Sequence, residues 1–154
     1  MQHILEHSSR KKDPNDNSWN VNGAGHDVSH KYGFGAVDAG HAVAITENWT
    51  LVNQAINVTS NTRTIDTDIP DNSAQGVSDT VTINDGLKIE HVEVYVDIDH
   101  VYRGDLVITL TSPSGTESTL AQKQSDSNKN YRNWMFSTVH NWDENSAGNW
   151  TLKV

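Results

Sequence analysis

Apolar and polar side chains alternate along the second half of the chain. The alternation runs through residues 77–83, 92–98 and 106–110, and each run ends at residues that favour turns. Successive side chains of a β-strand point to opposite faces, so a period of two predicts strands with one buried face. Residues 134–139 and 150–154 predict two further strands. Short strands separated by turn signals at intervals of about ten residues predict an antiparallel β-sandwich.

Two local features refine the prediction for the first strands. Residues 84–86 (Asn-Asp-Gly) tolerate a positive φ and follow the first alternating run, so they predict a hairpin turn. The apolar positions are odd up to Ile89 and even from Val92 onward. A change of phase inside one strand predicts a β-bulge near residues 90–91.

Residues 1–48 do not follow this pattern and contain too few apolar side chains for a core of their own. Small and apolar residues at positions 36–45 predict one short helix after a glycine turn, and a second helix is predicted to end near residues 5–8. Burying so little apolar surface does not offset a chain entropy of roughly 1–2 kcal/mol per residue. We therefore predict that residues 1–48 are the end of a larger domain and that residues 49–154 form the sandwich.

Composition excludes several classes of function. The chain contains no cysteine, which excludes disulfide scaffolds, thiol nucleophiles and cysteine-ligated metal sites. Its formal net charge of −9 excludes a nucleic-acid partner, because such affinity depends on Lys and Arg at the phosphates. Only 34% of its residues are hydrophobic and the mean hydropathy is −0.64. The longest apolar stretches run only a few residues, so no segment is predicted to span a membrane and no membrane partner is expected.

Three stretches of the sequence resemble one family of proteases. Residues 32–39 (YGFGAVDA) resemble the last loop and helix of subtilisin-like serine protease domains. Residues 100–116 (HVYRGDLVITLTSPSGT) and 139–152 (VHNWDENSAGNWTL) closely resemble the P domain, or Homo B domain, of kexin- and furin-like proprotein convertases. The stretches occur in the family's order, with the protease end first. The resemblance therefore identifies residues 1–48 as the remnant of a peptidase domain and residues 49–154 as a P domain.

This resemblance implies a jelly-roll-like β-sandwich in a secreted serine endopeptidase. In that family the domain packs against its own subtilase catalytic domain and supports the folding and stability of that domain in proteolysis. The family's domain continues beyond the strand that contains Trp150. We therefore expect the sandwich to be truncated, to lack its last strand, and to leave residues 151–154 beside an open sheet edge.

The sequence contains no segment of the Gly-Thr-Ser type, which carries the nucleophile of subtilases. The nearest string, at residues 115–117, is Gly-Thr-Glu. Acyl transfer has no mechanism without a nucleophile and a histidine base, so this chain alone is predicted not to be an enzyme. An alternative is a free-standing sandwich that binds carbohydrate or protein through exposed Trp134, Trp142 and Trp150, although filling the core is the more common role for such rings.

The resemblance gives a structural role to a set of motif residues in the second part. Arg103, Gly104 and Asp105 have the form of an integrin ligand, but short motifs of this kind are weakly specific. Here Gly104 is expected to ease a turn, and Arg103 to pair with a nearby carboxylate. The complete motif set is Arg103, Gly104, Asp105, His140, Trp142, Gly148 and Trp150.

Three carboxylates bracket one loop and are candidate calcium ligands. Asp97 and Asp99 lie two residues apart, so both point to one face of a strand end, and Asp105 begins the next strand. Clustered carboxylates repel one another unless a cation or an arginine neutralises them. Calcium prefers oxygen ligands, so the sequence predicts either a calcium site at these residues or an ion pair with Arg103. No other cofactor is expected.

The eight histidines do not form a spaced zinc motif. His3 and His7 lie four residues apart on a predicted helix, but two ligands rarely hold zinc, so no zinc site is predicted. His91 is expected at the surface. His100 and His140 are expected to form structural hydrogen bonds.

Overall fold

The computed structural model describes all 154 residues and divides the chain into two compact units, Met1–Val58 and Thr59–Val154. The boundary predicted after residue 48 falls inside the first unit. The indole ring of Trp49 lies 5.6 Å from the imidazole of His7 and 6.4 Å from that of His3, which ties this part of the chain to the N-terminal helix.

The first unit contains two short helices and a two-stranded sheet. Helix α1 spans Gln2–His7 and helix α2 spans Ala39–Thr46, while β1 (Trp19–Val21) pairs antiparallel with β2 (Asp27–Ser29). The side chain of Asp38 accepts a hydrogen bond from the backbone N–H of His41 and caps α2. Both predicted helices are present, but α2 begins only at residue 39, after the Asp38 cap, and Ala36 pairs with Arg10 in an isolated β-bridge.

The second unit is built from two antiparallel sheets. The larger sheet has the order β3-β8-β5-β6, and the smaller consists of β4 and β7. Their bounds are β3 Ser78–Ile83, β4 Val92–Ile98, β5 Ile108–Thr111, β6 Glu117–Ala121, β7 Tyr131–Thr138 and β8 Gly148–Lys153. The predicted fold class, mainly antiparallel β-structure with a short helical appendage, is therefore confirmed.

The hydrophobic core joins these two sheets. One cluster combines Val96 of β4 and Tyr131 of β7 with Ile108 of β5, and a second contains Leu110 of β5 and Trp150 of β8. All five side chains are less than a tenth exposed. Their burial in the sandwich follows the alternation of apolar and polar positions along the strands.

Two local predictions about the first strands are wrong. Strands β3 and β4 belong to different sheets, so residues 84–86 connect the sheets and do not form a hairpin turn. The segment that follows lies outside both strands, and Lys88 forms an isolated bridge with Asn145. The phase change therefore marks the start of a new strand. The register irregularities occur elsewhere, between Val96 and Ile98 and between Ile108 and Thr109.

The predicted open edge beside residues 151–154 is also wrong. Strand β8 lies inside the larger sheet, where Thr151 pairs with Thr80 of β3 on one side and with Thr111 of β5 on the other. Val154 and Val77 exchange both of their backbone hydrogen bonds, at 2.8 and 2.9 Å.

Neither helix of the protein is long and apolar enough to cross a membrane.

Candidate functional site

Arg103 joins two loops of the sandwich. Its Nε donates a hydrogen bond of 2.8 Å to Oδ2 of Asp126, and its backbone N–H donates one of 2.9 Å to the carbonyl of Asn128. Arg103 lies on a 3-10 helix, Arg103–Asp105, whereas Asp126 lies between β6 and β7. The guanidinium holds the pKa of Asp126 below its usual value. The expected pairing of Arg103 with a carboxylate is therefore present.

The same guanidinium lies over two aromatic rings of β7. Its central carbon is 4.9 Å from the ring centroid of Trp134 and 5.7 Å from that of Tyr131. A cation over an aromatic face is attracted by the ring's quadrupole. Trp134 is 39% exposed, but Arg103 lies against its ring, and the Tyr131 ring packs on it at an angle of 67° with the ring centroids 5.3 Å apart. Trp142 and Trp150, the other two tryptophans considered for an exposed binding patch, are buried.

Gly104 is required by close packing and not by the turn. It is buried, and its φ is not positive. A Cβ atom added at this position would lie 2.5 Å from both the Gln124 and the Asp126 carbonyl oxygens. The backbone also pairs here, because Gly104 N–H donates to Asp126 and Gln124 N–H donates to Gly104. The expectation that Gly104 eases the turn is therefore replaced by a steric requirement for close backbone approach.

The predicted calcium residues are only partly brought together. Asp97 and Asp99 are both exposed, and both accept hydrogen bonds from the guanidinium of Arg132 on β7. This pairing lowers the pKa of Asp97. Asp105 is exposed on the 3-10 helix. Arg132, and not the predicted Arg103, therefore neutralises the pair, and the calcium site stays a prediction.

His100 and His140, the two histidines near the family motifs, form different hydrogen bonds. The backbone N–H of His100 donates to Oδ1 of Asn130 at 2.8 Å, and its ring Nδ1 lies 2.8 Å from the Tyr102 carbonyl. His100 therefore forms the expected structural hydrogen bonds. The backbone N–H of His140 donates to Oγ1 of Thr138 at 3.2 Å. His91 is exposed, as predicted.

A turn that contains Trp142 lies between β7 and β8. Trp142 is 3% exposed, and the adjacent Glu144 is 2% exposed. The Glu144 carboxylate accepts hydrogen bonds from Oγ1 of Thr116 and from Nδ2 of Asn141, the second at 3.2 Å. A buried carboxylate needs such partners because burial without them is costly. The sequence did not reveal this role, since Glu144 resembles any acidic loop residue.

Gly148 and Trp150 lie on β8, the strand after this turn, and both contact neighbouring loop residues. Gly148 has a φ of 130°, and a Cβ atom there would lie 2.7 Å from Cβ of Pro113. The indole N–H of Trp150 donates a hydrogen bond of 2.9 Å to the carbonyl of Ser146. Gly148 therefore lies against the turn that follows β5, whereas the indole of Trp150 is bonded to the turn that precedes its own strand.

The first unit contains a group of potential metal ligands that the sequence analysis did not predict to be neighbours. Ligand atoms of Glu6, His7 and His26 all lie within 4.8 Å of one another. Glu6 and His7 end α1, and His26 immediately precedes β2. The spacing along the chain is not that of a zinc motif, so only the fold reveals this group.

These observations define a β-sandwich domain whose distinctive residues tie loops and strands together. Residues 89–154 match the family model described as the proprotein convertase P-domain. Over 162 aligned residues the whole chain is 40% identical to human proprotein convertase subtilisin/kexin type 5, and it covers 9% of that protein. Over 161 residues it is 37% identical to human furin and covers 20% of furin.

The structure also resembles a solved serine protease of Aeromonas sobria. The TM-score is 0.89 at 24% sequence identity, and the match covers 99% of this chain and 32% of the protease. A likeness at this identity shows the shared fold alone. The family-model match and the similarity to the convertases, which extends over the whole of this chain, indicate the kind of domain. Residues 89–154 are a proprotein convertase P-domain, and the chain along its whole length is similar to a part of the convertases.

Proposed function

We propose that this chain supplies the non-catalytic P domain of a secreted, kexin-like serine endopeptidase. In this proposal Thr59–Val154 supports the folding and stability of the adjoining protease domain, and Met1–Val58 is the C-terminal part of that protease domain. The domain packs against the catalytic domain of its own polypeptide. The relatives are several times longer than this chain, so the endopeptidase activity belongs to the proposal.

One observation carries the proposal: the identity to the convertases extends over the whole chain. The alignments to type 5 convertase and to furin each cover 100% of the chain and therefore include both compact units. A free-standing binding module has no reason to carry the first unit. That unit also exposes apolar side chains near and on α2, with Val37 61% and Val43 65% exposed, as expected of a helix that packs on further protein.

The arrangement of the buried serines supports a non-catalytic role. The hydroxyl of Ser8 donates to the Leu5 carbonyl, and that of Ser118 donates to Asn141. The hydroxyl of Ser29 is paired with Ser18, and that of Ser112 accepts the Thr116 backbone N–H. A serine nucleophile needs a histidine base that takes its proton. No specific observation favours carbohydrate binding, because the Trp142 and Trp150 rings are buried and Arg103 lies over Trp134.

A chimera tests the supporting role. The homologous segment of human furin would be replaced by residues 1–154, and secretion and cleavage of a dibasic peptide would be compared with a deletion of the segment. We expect the chimera to be secreted in an active form and the deletion to be inactive. The matched control carries Gly104→Val in the chimera, which disrupts the backbone contact at the 3-10 helix. A deletion as active as the chimera would reject the proposal.

The non-catalytic role is tested on the chain itself. Purified chain would be incubated with casein and with a serine-directed covalent probe. We expect neither cleavage nor specific labelling. Labelling of one serine that is prevented by prior unfolding would contradict this part of the proposal.

A further inference from the structure

A buried carboxylate faces two imidazoles in the first unit. The Glu6 side chain is 6% exposed, with Oε1 2.6 Å from Nδ1 of His26 and Oε2 3.2 Å from Nδ1 of His7. A carboxylate removed from water needs a compensating cation or hydrogen-bond donors. The two imidazoles therefore either donate protons to this carboxylate or share a metal ion with it.

The three side chains are held by different parts of the fold. Glu6 and His7 are adjacent at the end of α1, where His7 lies with its ring 5.6 Å from that of Trp49. His26 is positioned by a turn in which buried Asn22 accepts the His26 backbone N–H at 2.9 Å through Oδ1. The backbone N–H of Asn22 donates to the His26 carbonyl at 2.9 Å. The group is thus fixed from both sides.

Two imidazole nitrogens and one carboxylate oxygen are donors that zinc and related divalent transition metals bind. Zinc binds imidazole nitrogen and carboxylate oxygen at about 2.0–2.2 Å in tetrahedral geometry. Three ligand atoms within 4.8 Å of one another fit around such an ion after small side-chain adjustments. The side chains of His26 and His7 are 21% and 34% exposed, so one side of the group is open to water. An ion can enter through this opening, and a water molecule there can serve as the fourth ligand.

We propose that Glu6, His7 and His26 bind one divalent transition-metal ion, with zinc as the preferred metal and water as the fourth ligand. The imidazoles bind through Nδ1 in their neutral form, so each carries its remaining proton on Nε2. Binding releases any proton that the imidazoles held, and metal affinity falls as the pH is lowered. The ion joins the end of α1 to the segment before β2 and stabilises the first unit.

Cobalt(II) is a suitable spectroscopic probe, since it accepts the same ligands and absorbs visible light when tetrahedral. The full chain without an affinity tag would be titrated with Co²⁺ and then with Zn²⁺. We expect visible absorption that saturates at one equivalent and disappears as zinc displaces cobalt. Glu6→Gln and His26→Ala should each weaken cobalt binding by about 10–100-fold or more, since even residues behind the ligands have effects of that size. His41→Ala, which removes an exposed histidine of α2, should leave binding unchanged.

A second measurement does not depend on the variants folding. Histidine-ring ¹⁵N spectra of the unmodified chain would be recorded with and without Zn²⁺. Zinc should shift the Nδ1 resonances of His7 and His26 to values typical of metal-bound nitrogen and leave His41 in place. Unchanged rings at millimolar zinc, or equal cobalt binding by wild type and a folded Glu6→Gln variant, would overturn the proposal. The Glu6 contacts would then be hydrogen bonds alone.

Discussion

The Nε of Arg103 lies 2.8 Å from Oδ2 of Asp126, which is 23 residues further along the chain. This ion pair connects the 3-10 helix before β5 with the loop before β7. Both side chains are about one-fifth exposed, so the pair is shielded from solvent more than a typical surface pair. In the Arg-Gly-Asp motif, the arginine thus contacts the domain itself and the glycine permits close packing.

The Arg103→Lys variant distinguishes what the positive charge of Arg103 contributes to stability from what its planar guanidinium group contributes. Arg103→Lys keeps a positive charge but loses the flat group that bonds Asp126 and stacks on Trp134. We expect a loss of about 1 kcal/mol in the free energy of unfolding, the size of a partly exposed cation–π contact. Urea denaturation would measure it. The control is Arg63→Lys, at an exposed pair with Asp79, where no measurable change is expected.

Gly104→Ala should destabilise the sandwich, because its Cβ would lie 2.5 Å from two carbonyl oxygens. Forced overpacking costs typically about 1–3 kcal/mol, and we expect a value in the upper part of this range. Thermal and urea unfolding would report the loss. Gly86→Ala is the matched control, since the nearest atoms to its Cβ are side-chain atoms at 3.4 Å or beyond. Equal stability of the two variants would contradict the packing argument.

The aspartate ion pairs predict a loss of stability in acid. Arg103 lowers the pKa of Asp126, and hydrogen bonding to Arg132 lowers that of Asp97. A group whose pKa is lower in the folded state contributes stability above its unfolded pKa, near 4, and loses it as the pH falls through the folded pKa. The melting temperature should therefore fall below about pH 4, and the fall should be shallower for Asp126→Asn.

The control for this pH series is Asp105→Asn. Asp105 is the exposed carboxylate of the same 3-10 helix. Its replacement removes one carboxylate of this region and keeps the Arg103–Asp126 pair, so it should change the acid part of the stability curve less than Asp126→Asn does. A curve for Asp126→Asn as steep as that of the wild type would show that the Arg103 pair does not contribute to acid unfolding.

Calcium binding at Asp97, Asp99 and Asp105 should depend on Arg132. The guanidinium bonds both Asp97 and Asp99, so it competes with an ion for the same oxygens. We expect calcium to raise the melting temperature more in Arg132→Ala than in the wild type. An ion that binds only the folded state adds about 2.7 kcal/mol at a hundredfold excess over its Kd. Differential scanning calorimetry with calcium or chelator would measure this.

Two further variants make the calcium experiment decisive. Asp97→Asn with Asp99→Asn in the Arg132→Ala background should abolish the calcium effect, because carboxylate ligands are lost. Arg63→Ala, which removes another surface guanidinium, should respond as the wild type does. Identical melting curves with calcium and with chelator in every variant would leave ion pairing with Arg132 as the full account of these carboxylates.

The sequence alone determined the strand content of this protein and the kind of domain that its second part forms. Alternation of side chains is a local property, so it revealed the segments around Val81, Val94 and Ile108 without knowledge of their partners. The resemblance at residues 100–116 and 139–152 identified the domain that the comparisons confirm. These signals lie in consecutive residues.

Only the tertiary structure decided which distant residues meet. The turn-forming residues 84–86 looked like a hairpin, yet β3 and β4 lie in different sheets, because strand pairing depends on the packing of the whole domain. Arg132 reaches Asp97 across 35 residues, and His26 reaches Glu6 through the turn before β2. Such contacts follow from the path of the folded chain, whereas residue spacing records only neighbours within a helix, strand or turn.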